Sequence, residues 1–87
     1  MHESSLMKNL LAKIESIARE QNAGKIQSIR VKLGALCNIS PEHFRQHFFL
    51  GNRGTVAEYA ELTIIVSEDA TDPLAQQILL ESIEIAE

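Results

Sequence analysis

Over residues 4–36 the spacing of apolar side chains changes from the period of a helix to the period of a strand. That change constrains the fold more than any other feature. Leu6, Leu10, Ile14 and Ile17 recur at intervals of four, four and three, and Met7, Leu11 and Ala18 widen the stripe. Lys8, Lys13, Glu15, Arg19 and Glu20 take the opposite side. The pattern predicts an amphipathic helix over 4–22. Ser4 or Ser5 can cap its start, and Asn22-Ala23-Gly24 ends it, with Gly24 suited to a left-handed stop. Ile29, Val31 and Leu33 then alternate with Ser28, Arg30 and Lys32, which predicts a half-buried strand over 26–36.

Ser40-Pro41-Glu42 reads as a second helix start: an N-cap, a proline fitted to the first helical position, and an acid at the positive end of the helix dipole. This helix runs to about Leu50 with Phe44, Phe48 and Phe49 toward the core, and Gly51, Asn52 and Gly54 stop it. Leu62, Ile64 and Val66 alternate in a second strand, and the polar stretch 67–77, with Asp72-Pro73, reads as a loop. Residues 78–86 predict a third strand whose phase slips: Ile78 and Leu80 are even, Ile83 and Ile85 odd. A bulge at Glu81-Ser82 repairs that phase. The expected fold is α+β, order α-β-α-β-β, with two amphipathic helices packed on one face of a small three-stranded sheet. Residues 1–87 are expected to form a single domain, with neither internal repeat nor low-complexity tract.

Size and charge narrow the function. A chain of 87 residues buries roughly 60–65% of its unfolded surface, enough for one modest core and not for a deep catalytic cleft. All eight Lys and Arg lie at or before Arg53, and eight of the twelve acids lie after it, so residues 1–53 carry +4 and residues 54–87 carry −8. The net −4 argues against nucleic acid as a partner. The two halves are expected to neutralise each other across a shared sheet, with a docking surface for a basic partner as the alternative. The single cysteine, Cys37, excludes a disulfide or a four-cysteine zinc site within one chain and fits a reducing cytoplasm. Neither a signal-peptide pattern nor a membrane-spanning apolar run is visible, so no membrane partner is expected.

Metal chemistry is concentrated at the N-terminus. The Met1 α-amine and the His2 amide nitrogen can close a five-membered chelate ring, and the His2 imidazole closes a six-membered ring with that same amide. The three nitrogens lie in one plane, and the Glu3 amide, the Glu3 carboxylate or another side chain can take the fourth place. Planar nitrogen-rich coordination suits Ni(II) and Cu(II), whereas Zn(II) prefers a tetrahedral set. Copper binds more tightly on intrinsic affinity, so nickel has to be favoured by availability and delivery. A histidine at position two of an arbitrary protein is more often a solvated residue in a frayed end.

Two other features carry chemistry. His43 and His47, four apart, share a helix face and can ligate a metal, although a solvated or half-buried pair is the commoner outcome. One of them can also complete a metal shell begun at the N-terminus. Cys37 lies just before a helix start, which can activate a thiol, but a small buried or half-buried residue is the ordinary reading. No phosphate loop or glycine-rich dinucleotide turn is present.

Met1-His2-Glu3 with Ser5-Leu6, then Ile29-Arg30-Val31-Lys32-Leu33-Gly34-Ala35-Leu36, then Pro41-Glu42 with Phe44, then Gly54-Thr55-Val56-Ala57-Glu58 with Ala60-Glu61-Leu62, and finally Leu80-Glu81-Ser82-Ile83-Glu84-Ile85 resemble, in this order and spacing, the HypA/HybF family of nickel-insertion accessory proteins. The resemblance implies a nickel site of the N-terminal amine, His2 and Glu3, and service to a [NiFe] hydrogenase or to urease. It implies a HypB-type GTPase and the hydrogenase large subunit as partners. Two departures stand out. Family members carry two Cys-x-x-Cys pairs in a zinc domain between the last two strands; here residues 67–77 stand in its place, so no zinc is expected. Many relatives also place an acid where this chain has Ser40.

The main expectation is a metallochaperone that binds Ni(II) through Met1, His2 and Glu3 and catalyses no covalent reaction. One alternative is a non-metal interaction module of a hydrogenase maturation complex; another is a small enzyme using Cys37 with His43 or His47. The exposed edge of a three-stranded sheet can pair with a second chain, so a homodimer is also an expectation.

Overall fold

A computed structural model describes the backbone of residues 3–86 and the side chains of residues 7–86. The elements follow the expected order: α1 (Glu3–Glu20), β1 (Ile26–Leu33), α2 (Pro41–Gly51), β2 (Glu61–Val66) and β3 (Ile78–Ile85). The two helices cover one face of a mixed sheet of order β2-β1-β3. β1 pairs parallel to β2 and antiparallel to β3. A parallel pair needs a crossover, and α2 with its flanking loops supplies it. Both edges of the sheet are therefore strands remote from β1 in sequence.

The buried side of α1 is Met7, Leu10, Ile14 and Ala18, with Leu11 packed at the margin. This stripe is rotated slightly from the expected one: Ile17 is half-buried where Ala18 is fully so. The helix also stops differently. Asn22, with φ of 54°, is the residue in the left-handed conformation, and Gly24 is not. The Ala23 amide donates to the Ala18 carbonyl at 2.8 Å and the Asn22 amide to that of Arg19 at 3.1 Å, the paired bonds of a Schellman stop. Asparagine tolerates this conformation better than other side-chain-bearing residues, so no glycine is needed.

α2 begins as expected. Ser40 Oγ accepts from the His43 amide at 3.1 Å, and Pro41 opens the helix. Phe44 and Phe48 are fully buried, while Phe49 is half-buried and edge-on to Phe48 at 5.5 Å between centroids. Arg45 reaches the Leu62 carbonyl at 3.4 Å and ties α2 to β2.

Two irregularities set which side chains face the helices. Arg30 pairs with Ser82 and Val31 with Leu80, which leaves Glu81 extra on β3, the bulge that the phase of this strand predicts. A second shift, between Ile26 and Ser28, leaves Gln27 extra on β1. It lets Ile26 and Ile29, three apart, both be fully buried. The register then places Leu62, Ile64, Ile83 and Leu80 beside Ile29 and Val31 on the helix-covered face, and Thr63, Ile65, Leu79 and Ser82 beside Arg30 and Lys32 on the open face.

Residues 67–77 are folded back on the end of β1. The Gly34 amide donates to the Gln77 carbonyl at 2.9 Å, the Leu36 amide to that of Ala75 at 2.7 Å, and the Ser67 amide to that of Leu33 at 2.9 Å. Asp69 and Asp72 side chains hold the local turns by accepting from the amides of Thr71 and Leu74. Lys32 Nζ lies 4.0 Å from Asp72 Oδ2, the closest the basic and acidic halves come to an ion pair among the described residues.

Candidate metal centre

Met1 and His2 lie outside the described residues. Glu3 is the first residue of α1, and its side chain lies outside the described set as well. Its backbone position has a chemical consequence. The first four amides of an α-helix have no intrahelical acceptor. A metal taking an amide nitrogen at Glu3 would break no helical hydrogen bond. The positive end of the helix dipole at the same place opposes a cation.

Topology sets the direction of this end. The short connection 21–25 sends α1 back against β1, where the Ala86 amide donates to the Lys25 carbonyl at 3.2 Å. α2, lying between two parallel strands, must also run opposite to β1. Both helices therefore begin toward the end of the sheet at which β1 and β2 finish.

His43 and His47 sit on the first two turns of α2, with ring centroids 4.7 Å apart and planes tilted by 49°. His43 is exposed and His47 half-buried. Cys37 is half-buried, and its Sγ faces the Ile39 carbonyl at 3.8 Å. Among the described residues no three His, Cys, Asp or Glu side chains converge as a metal cage would require. The groove lined by Gln46, Phe49, Leu50 and Arg53 is open and about 330 Å³, without a cysteine or histidine on its wall. No described helix is long and apolar enough to cross a membrane.

Asn52, which the sequence marks only as part of a helix stop, is buried and caps α2. Its amide donates to the Phe48 carbonyl at 3.0 Å and its Nδ2 to the Ala57 carbonyl at 3.0 Å. Its role is structural: it fixes the connection into β2.

Residues 1–71 match the family described as hydrogenase/urease nickel incorporation, metallochaperone, HypA. The hydrogenase maturation factor HypA of Methylocella silvestris is 42% identical over 64 residues, 74% of this chain and 57% of that protein. The one of Aquifex aeolicus is 38% identical over 68 residues, 78% of this chain and 59% of that protein. The chain thus spans less than two thirds of the length of these curated relatives. In three dimensions it superposes on the solution structure of the Ni metallochaperone HypA from Helicobacter pylori with a TM-score of 0.80 and 21% identity, over 98% of this chain and 97% of that one. The likeness in fold therefore extends through β3, past the end of the family match. The chain belongs to the HypA family of hydrogenase/urease nickel incorporation proteins.

Proposed function

We propose that this chain is a nickel metallochaperone that takes Ni(II) at its N-terminus and delivers it during maturation of a [NiFe] hydrogenase or of urease. The Met1 amine, the His2 amide and imidazole, and a donor from Glu3 form the binding plane. The reading rests on one observation above others: the family match begins at residue 1 and so includes Met1-His2-Glu3. The chemistry agrees with it, because three nitrogens in one plane suit Ni(II). The amide of Glu3, in the first turn of α1, is also spared from helical bonding. Nickel is cargo in this scheme, so a terminal, open site at which water can replace each donor suits the task better than a closed cage. Residues 1–87 act as one nickel-binding domain in the cytoplasm, with a HypB-type GTPase and the hydrogenase large subunit as partners and no covalent step of the chain's own.

Nickel titration of the native chain against one carrying a single Gly before Met1 tests this. The added residue moves the amine and opens the chelate ring, while the fold begins beyond it. The expected result is a site with a planar-type absorption spectrum in the native chain that the extended chain lacks. Equal binding of that kind by both would overturn the N-terminal assignment. Loss of all nickel binding with retained partner binding would leave an interaction module. The exposed Leu36, Val66 and Leu74, gathered where the 67–77 loop closes the sheet, would then be its docking residues.

A further inference from the structure

We propose that the outer face of α2 pairs antiparallel with the same face of a second copy of this chain. The order of residues along that face carries the proposal. Glu42, Gln46 and Arg53 recur at intervals of four and seven, with Phe49 and Leu50 between the last two. The buried Phe44 and Phe48 take the opposite side of the helix. Glu42 sits in the first turn, and Arg53 lies two residues past the last helical one, lining the same groove as Gln46, Phe49 and Leu50. The stripe therefore has an acid at its start, apolar side chains in its second half and a base at its end. Turned end for end about a two-fold axis, it is complementary to itself. Glu42 meets the partner subunit's Arg53, and Arg53 meets the partner subunit's Glu42. Between them, Leu50 enters the groove beside the partner subunit's Gln46 and the partner subunit's Phe49.

The groups this pairing uses are available on the surface. Glu42, Gln46 and Arg53 are exposed, Phe49 is half-buried and Leu50 is 64% exposed. Among the described residues, neither the Glu42 carboxylate nor the Arg53 guanidinium has a hydrogen bond or ion pair of its own. The helix is held rigidly beneath them, capped by Ser40 and anchored by the stacked Phe44 and Phe48, so pairing orders only the outer side chains. The sheet edges are less suited to a second copy. β3 carries the bulge at Glu81, and the Leu62 carbonyl of β2 already accepts from Arg45. One helix of eleven residues offers less than the about 800 Å² per partner of a standard interface, so the association is weak and reversible. Both helices begin toward one end of the sheet, so antiparallel α2 helices set the starts of the two α1 helices at opposite ends of the dimer. The pairing does not rest on the nickel reading.

The test is sedimentation equilibrium of the full chain, without metal, over a concentration series reaching the millimolar range. The native chain should pass from monomer to dimer and stop there, because a two-fold contact closes on itself. Arg53→Glu and Glu42→Arg each set like charges face to face at both ends of the helix pair. Each alone should weaken self-association about tenfold or more. Leu50→Ser should weaken it about tenfold by removing the apolar contact. Mixed in equal amounts, the two charge variants should recover a dimer of native affinity, because one chain then presents only acids and the other only bases. Circular-dichroism melts check that each variant is folded, and recovery in the mixture shows it independently. A native chain that stays monomeric through the series would overturn the proposal. So would a dimer that both charge reversals leave intact, since it must form through another surface. A mixture that associates no better than either variant alone is equally fatal, because the two ion pairs would then not exist.

Discussion

The carbonyl of Ala75 occupies the space that a side chain on Gly34 would need. A Cβ built on Gly34 would fall inside contact distance of the Ala75 carbonyl and within 2.9 Å of the Gln77 oxygen. Both obstacles are backbone, so neither can swing away. The amides of Gly34 itself and of Leu36 donate to the loop carbonyls of Gln77 and Ala75. Close approach of strand and loop is thus what lets eleven residues, 67–77, join β2 to β3 with Ala75 buried.

Gly34→Ala should therefore destabilise the domain by about 1–3 kcal/mol, the usual cost of overpacking. The loss should appear first as faster amide exchange at Gln77 and along β3. Gly24→Ala is the control, because nothing lies within 4 Å of a Cβ there. Equal melting of both variants and the native chain would show that the loop does not bear on the sheet in this way.

Asn52 presents a second backbone dependence. The residue is 1% exposed; its side chain satisfies the Ala57 carbonyl, while its backbone carbonyl accepts from Thr55 Oγ1 at 2.7 Å. Asn52→Ala leaves the buried Ala57 carbonyl without that donor and should cost about 1–3 kcal/mol. Asn52→Asp is the sharper test. A buried carboxylate facing a carbonyl has its pKa raised in the folded state. The penalty should be small below the unfolded aspartate value, where the protonated acid can donate to Ala57, and should grow as pH rises above it. Denaturant unfolding at acidic and neutral pH reads the difference; a pH-independent penalty would contradict the assigned hydrogen bond.

Much of this fold was legible in the sequence because its periodicities are clean. The Ile29-Val31-Leu33 alternation, the Ser40-Pro41 start and the broken phase of β3 each have one economical explanation, and the structure adopts it. Features that depend on distant chain were not legible. The parallel pairing of β1 with β2 leaves no mark on either strand, and neither does the shift at Gln27, where burial of Ile26 overrides strict alternation. The left-handed stop fell on Asn22 instead of Gly24 because hydrogen-bond closure onto Ala18 and Arg19 decides where the helix ends. For the candidate site, the proposal of Met1-His2-Glu3 rests on residue order and family membership, since chelation by adjacent backbone needs no fold and these side chains lie outside the described residues. The approach of His43 to His47 follows from helical spacing, but the tilt of 49° between their rings does not.

Asp69 gives a pH dependence of known sign. Its carboxyl accepts from Thr71 Oγ1 at 2.6 Å and from the Thr71 amide at 3.0 Å. The Thr71 side-chain bond first, and the backbone bond second, hold its pKa below the ordinary aspartate value of 3.8. A folded value below the unfolded one means that the turn gains stability above the unfolded pKa and loses it as pH falls through the folded one. Thr71→Val should raise the Asp69 value part of the way back, because the amide bond remains. Carboxyl-carbon NMR titration measures it, and an unchanged midpoint would remove the hydroxyl from the account.

Glu81 should be dispensable in a way its neighbours are not. It is the unpaired residue of the β3 bulge, between Leu80 opposite Val31 and Ser82 opposite Arg30. Deleting it brings Ser82 next to Leu80, which turns the bulge into regular alternation with Leu80 and Ile83 still on the helix-covered face. The deletion should keep the fold, with amide protection of Ile83 and Ile85 near native. Deleting Glu84 instead forces Ile85 onto the open face or shifts the strand against Lys25, where the Ala86 amide now donates at 3.2 Å. That variant should unfold at markedly lower denaturant. The contrast isolates register from composition, since both deletions remove one exposed glutamate and the same charge. If the two deletions melt alike, β3 is held by apolar content alone and the bulge plays no part in its register.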